Sequence, residues 1–275
     1  MSLVGCALLP HPPIMVPEVG RGELSKIGRT VEAAKQAADF LLSNKPDTIV
    51  IISPHAPFFA EFVGVNVMTH LQGNLAAFGA PEVALSFEPD ESLVADVLQQ
   101  AAKHGVDLRR LTEDFARKYR FSLQLDHGAL VPLYYLNKAG FCDRVVHLSI
   151  GMLSYEEMFA FGKAVRVVAE EADKKVAVIA SGDLSHRLVR GAPAGYDPAG
   201  VLFDKEVVDS LRVLDAKKMF GLDSQLVDRA GECGLRPIFF LLGVLDGHKA
   251  ASSILSYEGP FGVGYAVATF QTLGL

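Results

Sequence analysis

Three apolar runs end in the same way, and that repetition constrains the fold more than any other feature of the chain. The runs are LVGCALL at 3–9, TIVII at 48–52 and KVAVIA at 175–180. Each is rich in Val, Ile, Leu and Ala and bounded by turn residues, which is the pattern of a buried strand. Each then releases polar chemistry at its end. LPHPP presents His11, SPHAP presents His55, and SGDLSH presents Asp183 and His186. In open α/β sheets, ligands bind at the carboxyl ends of the strands.

The rest of the chain alternates between the two periodicities. Helices are expected over 23–43, 91–104, 154–172, 201–213, 215–220 and from about Pro237 to Leu245. In LDHGALVPLYYL, Asp126 or His127 caps a helix that opens at Gly128. Further strands are expected at 62–69, 82–87, 144–149, 252–257 and 262–271. This alternation predicts an α/β fold, with a central mostly parallel or mixed sheet flanked by helices on both faces. No repeat or linker interrupts it, so a single domain over 1–275 is expected. Residues 187–200, RLVRGAPAGYDPAG, form a long Gly/Pro-rich loop, the kind that walls a pocket or closes over one.

The net charge of −6 argues against a nucleic-acid partner, which needs a basic face. Three scattered cysteines, Cys6, Cys142 and Cys233, are too few for a disulfide framework and fit a reducing cytoplasm. No run reaches the ~18 apolar residues of a membrane helix. The apolar composition, 50% hydrophobic residues, suits a homodimer.

Four of the eight histidines keep ordinary company. His70, His104 and His248 sit in polar, helix-end or loop contexts, and His147 inside RVVHLSI reads as a buried structural histidine. The other four, His11, His55, His127 and His186, stand at element boundaries beside Pro, Gly, Ser or Asp. Proline fixes the backbone next to His11 and His55, and a metal needs ligands held without reorganisation. Two histidines and one carboxylate on one face leave positions free for substrate and dioxygen, an arrangement that suits non-haem iron(II).

The carboxylate candidate is Glu232 in DRAGECGLRP, between glycines 231 and 234; the competing reading is an ordinary solvated glutamate. Cys233 is a rival, softer and better matched to zinc or copper, or else a small buried hydrophobe. Glu258 in SYEGPFG is a weaker competitor. His186 can take a proton from a phenolic hydroxyl and return it. Asp183 either orients it or caps the following turn. His127 either hydrogen-bonds a second substrate oxygen or dioxygen, or merely begins a helix. Dinucleotide, phosphate-loop, nucleophile-elbow and HExxH motifs are absent.

Together LPHPP, ISPHAP, LDHGALVPL, VIASGDLSH and SYEGPFGVGYAVATF resemble the LigB-like class III extradiol dioxygenases, to which the Memo-like proteins are related. The resemblance runs from residue 5 to 270, and is strongest to a branch found both alone and as the N-terminal half of larger proteins. It implies Fe(II) held by His11, His55 and Glu232, an acid–base histidine at His186 and a further active-site histidine at His127. It implies a small catechol-type aromatic substrate, cleaved beside its two hydroxyls with insertion of both atoms of O2. This chain carries both Glu232 and Cys233, whereas Memo-like relatives place a cysteine in the ECG-type motif. Two other readings therefore stand beside the dioxygenase: a Memo-like metal-binding protein without turnover that serves a larger system, and a zinc hydrolase. The pairing of His127 with His186 favours the dioxygenase over the hydrolase.

Overall fold

A computed structural model describes residues 2–273. The first half of the chain runs β1 (Leu3–Leu9), α1 (Pro17–Gly20), α2 (Gly28–Ser43), β2 (Thr48–Ser53), β3 (Val63–Asn66), β4 (Leu71–Leu75), β5 (Ala80–Pro89), α3 (Glu91–Lys103), β6 (Leu108–Leu111) and α4 (Glu113–Tyr119). The second half runs α5 (His127–Lys138), β7 (Arg144–Ser149), α6 (Tyr155–Glu171), β8 (Val176–Ser181), α7 (Ala199–Val213), α8 (Ala216–Phe220), α9 (Ser224–Ala230), α10 (Leu235–Leu245), β9 (Lys249–Glu258) and β10 (Tyr265–Leu273). Side-chain caps start several helices where the sequence supplies them. Asp90 accepts from Leu93 N–H at 3.1 Å, and Ser154 with Glu157 forms a capping box at α6.

One mixed sheet carries the order β4-β5-β7-β2-β8-β1-β10-β9, with β3 attached to β7 and β6 to β3. The pairs β7·β2, β2·β8 and β8·β1 are parallel; β10 closes antiparallel on β1 and β9 on β10. The α/β class and the mixed, mostly parallel centre are as the alternation predicts.

Side chains of the parallel strands alternate between two cores, because successive residues point to opposite faces. Val50, Ile52, Val146 and Val178 pack with Phe161 of α6 and with Phe239 and Phe240 of α10. Ile49, Ile51, Val145 and Ile179 pack with Ala34 and Leu41 of α2 and with Leu130 and Leu133 of α5. Each fully buried phenylalanine contributes roughly 1.5–3 kcal/mol. Helices α6 and α10 touch at Gly162 and Gly243, where a Cβ on either would collide with a backbone oxygen of the other helix.

Several bounds differ from the sequence reading. The helix expected from 23 begins at Gly28, because Arg21–Ile27 is wound as 3-10 turns. Elements α1, β4, β6, α4 and α9 have no counterpart in the sequence reading; all are of seven residues or fewer.

Candidate metal centre

The sheet order explains why residues 44 positions apart can meet. Strand β8 lies between β1 and β2, and the registers Leu9↔Ser181 and Ile52↔Ala180 bring the three carboxyl ends level. His11 and His55 each stand two residues past a strand end, so their imidazoles reach toward each other across the end of β8. Their Nε2 atoms are 3.0 Å apart. The Cys233 Sγ lies 3.7 Å from His11 Nε2 and 3.7 Å from His186 Nε2. The His127 ring is 4.2 Å from that of His55 and 5.5 Å from that of His11. The histidines expected at the site thus gather at the carboxyl ends of the parallel strands. His11 is buried, Cys233 half-buried and His55 exposed, so the cluster opens to solvent on the His55 side.

Donor atoms of His11, His55 and Cys233 all lie within 4.8 Å of one another. Glu232 does not join this set. Its Oε2 accepts the Leu235 N–H at 2.5 Å, satisfying one of the unpaired donors of the first turn of α10. Burial raises its carboxyl to about 7, against the lowering effect of backbone N–H groups and Arg236. Sequence favours the carboxylate as third donor; the structure turns the adjacent thiol inward instead. Glu258 is also committed elsewhere, accepting from Thr30 N–H and Oγ1–H at 2.7 Å each.

Asp183 does neither of the things expected of it. Its Oδ1 accepts the backbone N–H of His11 at 2.9 Å, tying the exit of β1 to that of β8. Burial lifts this carboxyl to about 6, and the His11 N–H moderates the rise.

His147 is buried, as its apolar strand predicts, yet it belongs to the site's support. Its Nε2 meets Asp126 Oδ2 at 3.1 Å. Asp126 Oδ1 accepts from Ser53 Oγ–H at 2.5 Å and from Ala129 N–H at 3.2 Å. One carboxylate therefore links β7, the approach to His55 and the first turn of α5, which His127 begins. Burial would raise the Asp126 carboxyl, but the bonds from His147 and Ser53 outweigh it and hold the group well below its usual range. The sequence offers one signal for this role: a histidine inside an apolar strand needs a buried acceptor.

Burial disfavours the charged forms of His11, His127 and His186. Burial, then the neighbouring His55 and His11, lowers His127 to about 4. Burial also lowers His186, with Asp183 opposing. His11 is lowered too, well below its usual value, by burial and by His55. Neutral imidazoles expose lone pairs, the form in which histidine binds a metal. A donor set of imidazole, imidazole and thiol, with a carboxyl one residue away, fits a divalent transition metal.

Fold and site define an α/β protein with a histidine-rich donor cluster at the carboxyl ends of parallel strands. Residues 5–268 match the family described as the catalytic LigB subunit of aromatic ring-opening dioxygenase. The chain belongs to the LigB family. It is 41% identical over 271 residues to the Clostridium acetobutylicum protein CA_C1420, covering 98% of this chain and 58% of that protein. The chain thus spans little more than half the length of that relative. It is 26% identical to the alpha subunit of a Pseudomonas 2-aminophenol 1,6-dioxygenase, covering 98% of this chain and 100% of that one. It is also 26% identical to Escherichia coli 3,4-dihydroxyphenylacetate 2,3-dioxygenase, over 76% of this chain and 78% of that one. The fold matches the crystal structure of an uncharacterized Escherichia coli K12 protein with a TM-score of 0.66 at 17% identity, covering 98% and 99% of the two chains. Among the described residues, no helix is long and apolar enough to cross a membrane.

Proposed function

We propose that this protein is an extradiol ring-opening dioxygenase acting on a catechol-type aromatic with O2, with iron(II) held by His11, His55 and a third donor from the Glu232-Cys233 pair. The supporting observation is the convergence of the His11 and His55 Nε2 atoms at 3.0 Å, with His127 and His186 beside them. Bound iron(II) would supply open positions for two substrate oxygens and dioxygen, and the one-electron chemistry that dioxygen requires. The chain's own residues handle protons and position. His186, neutral at pH 7, accepts a phenolic proton at a ring nitrogen and later returns it to the leaving oxygen. His127, also neutral, hydrogen-bonds a substrate oxygen while keeping positive charge out of the cluster.

A second reading has its own observation. Cys233, not Glu232, lies in the donor set, and this favours a Memo-like metal-binding protein without turnover. The test is metal analysis of anaerobically prepared protein, then oxygen uptake with a panel of catechols. Uptake by the iron-loaded protein supports ring opening; iron without uptake on any catechol supports the second reading. Iron lost in Cys233→Ser and kept in Glu232→Ala assigns the third donor to the thiol, and the reverse assigns it to the carboxylate.

A further inference from the structure

Helix α5 contains Pro132, buried four residues after Gly128. In an α-helix the N–H of residue 132 would bond to the carbonyl of residue 128, and proline has no N–H. The Gly128 carbonyl is buried and lacks its helical partner. Ser181 Oγ, at the end of β8, donates to it instead at 2.5 Å. A hydroxyl has a single proton, so Ser181 has none left to give. Its oxygen is also 2.8 Å from His11 Nδ1, and that contact is a hydrogen bond only if Nδ1 carries the proton. A neutral His11 protonated at Nδ1 has its lone pair on Nε2, the atom that faces His55 and Cys233.

We propose that Pro132 and Ser181 are positioning residues: by leaving the Gly128 carbonyl open to the Ser181 hydroxyl, they fix His11 as the Nδ1–H tautomer and aim its Nε2 lone pair into the donor cluster. The relay rests on hydrogen bonds between Ser181, Gly128 and His11; its purpose rests on the metal reading above. A metal-ligating histidine needs this, since its other ring nitrogen sets both tautomer and ring orientation. Ser181 is fully buried and His11 nearly so, which leaves water little access to substitute for the relay.

The test uses Pro132→Ala and Ser181→Ala. Alanine at 132 restores the helical N–H, which competes for the Gly128 carbonyl and releases the Ser181 proton. The ring-nitrogen chemical shifts of His11 are read in 15N-labelled, metal-free protein, and iron(II) affinity is read by anaerobic equilibrium dialysis. The expected result is a single Nδ1–H tautomer in the parent and a mixture in both variants. Iron affinity should fall about 10- to 100-fold in Ser181→Ala, the range for lost support of a metal ligand, and by a smaller factor in Pro132→Ala. Thermal unfolding of Pro132→Ala should not fall, because its helix gains a hydrogen bond; stability and affinity then move in opposite directions. The relay is overturned if the parent His11 carries its proton on Nε2, or if Ser181→Ala keeps both the parent tautomer and the parent affinity. A tautomer that responds in a chain binding no iron would sink the metal reading and leave the relay standing.

Discussion

Replacing Asp204 with asparagine should abolish a specific part of the protein's pH dependence. Asp204 is fully buried in α7, where Oδ1 accepts the Ser185 N–H at 2.8 Å and Oδ2 accepts the Tyr257 hydroxyl at 2.7 Å. Burial raises its carboxyl from 3.8 to about 7, and those two hydrogen bonds only partly oppose the rise. A folded-state value above the unfolded one means that the native chain holds the proton more tightly. Stability from this group is fully present below about pH 4 and is lost as pH climbs through 7. At 1.36 kcal/mol per pH interval, the two intervals between pH 5 and 7 amount to about 3 kcal/mol. Asparagine keeps the acceptor for Ser185 and offers a donor to the Tyr257 oxygen, and it does not ionise. Urea unfolding of both proteins at pH 5 and pH 8 measures the effect. The Asp204→Asn variant should gain about 3 kcal/mol on the parent between those two conditions. Asp183 contributes to the parent's curve but cancels in the difference, whereas the charge of Glu232 adds to the rise at Asp204 and so belongs to the difference. Parallel curves for the two proteins would refute the argument. The position matters for the site because Ser185 immediately precedes His186.

Three further outcomes follow from the geometry. His147→Phe removes the donor to Asp126 and should weaken iron(II) binding about tenfold, whereas His147→Gln, which keeps an N–H near the Nε2 position, should recover most of it; dialysis of both variants checks this. Phe78, at the tip between β4 and β5, is 41% exposed and its ring lies 5.2 Å from that of His127. If a catechol occupies the site, Phe78→Ala should weaken its binding by about five- to tenfold with little change in folding stability, measured by anaerobic titration and thermal unfolding. Thr30→Val removes the hydroxyl bond to Glu258 and should cost about 1–2 kcal/mol of stability without altering iron affinity, as urea unfolding and dialysis would show.

Much of this architecture is legible in the sequence because apolar runs such as TIVII and VAVIA admit few structures other than buried strands. The prolines and polar residues after them mark the strand exits, so His11, His55 and His186 are nameable as candidate site residues before any fold is known. What the sequence conceals is local choice. Glu232 and Cys233 are adjacent, and which of them faces His11 depends on the unpaired N–H groups of α10, which draw the carboxylate away. The part played by His147 is hidden for a related reason: its partner Asp126 lies 21 residues earlier in the chain, and only the folded position of the α5 N-cap joins them. Pro132 is visible in LDHGALVPL as a helix irregularity, but its consequence for His11 passes through Ser181, 49 positions further along. The short β6 is only LRRL, too brief for periodicity to declare itself.

The most direct measurement is the iron content of anaerobically loaded protein, parent against His55→Ala. Two imidazoles just past separate strand ends, sharing one ion as proposed, predict about one equivalent per chain in the parent and close to none in the variant. A full equivalent retained without His55 would show that the ion is not held between these strand ends.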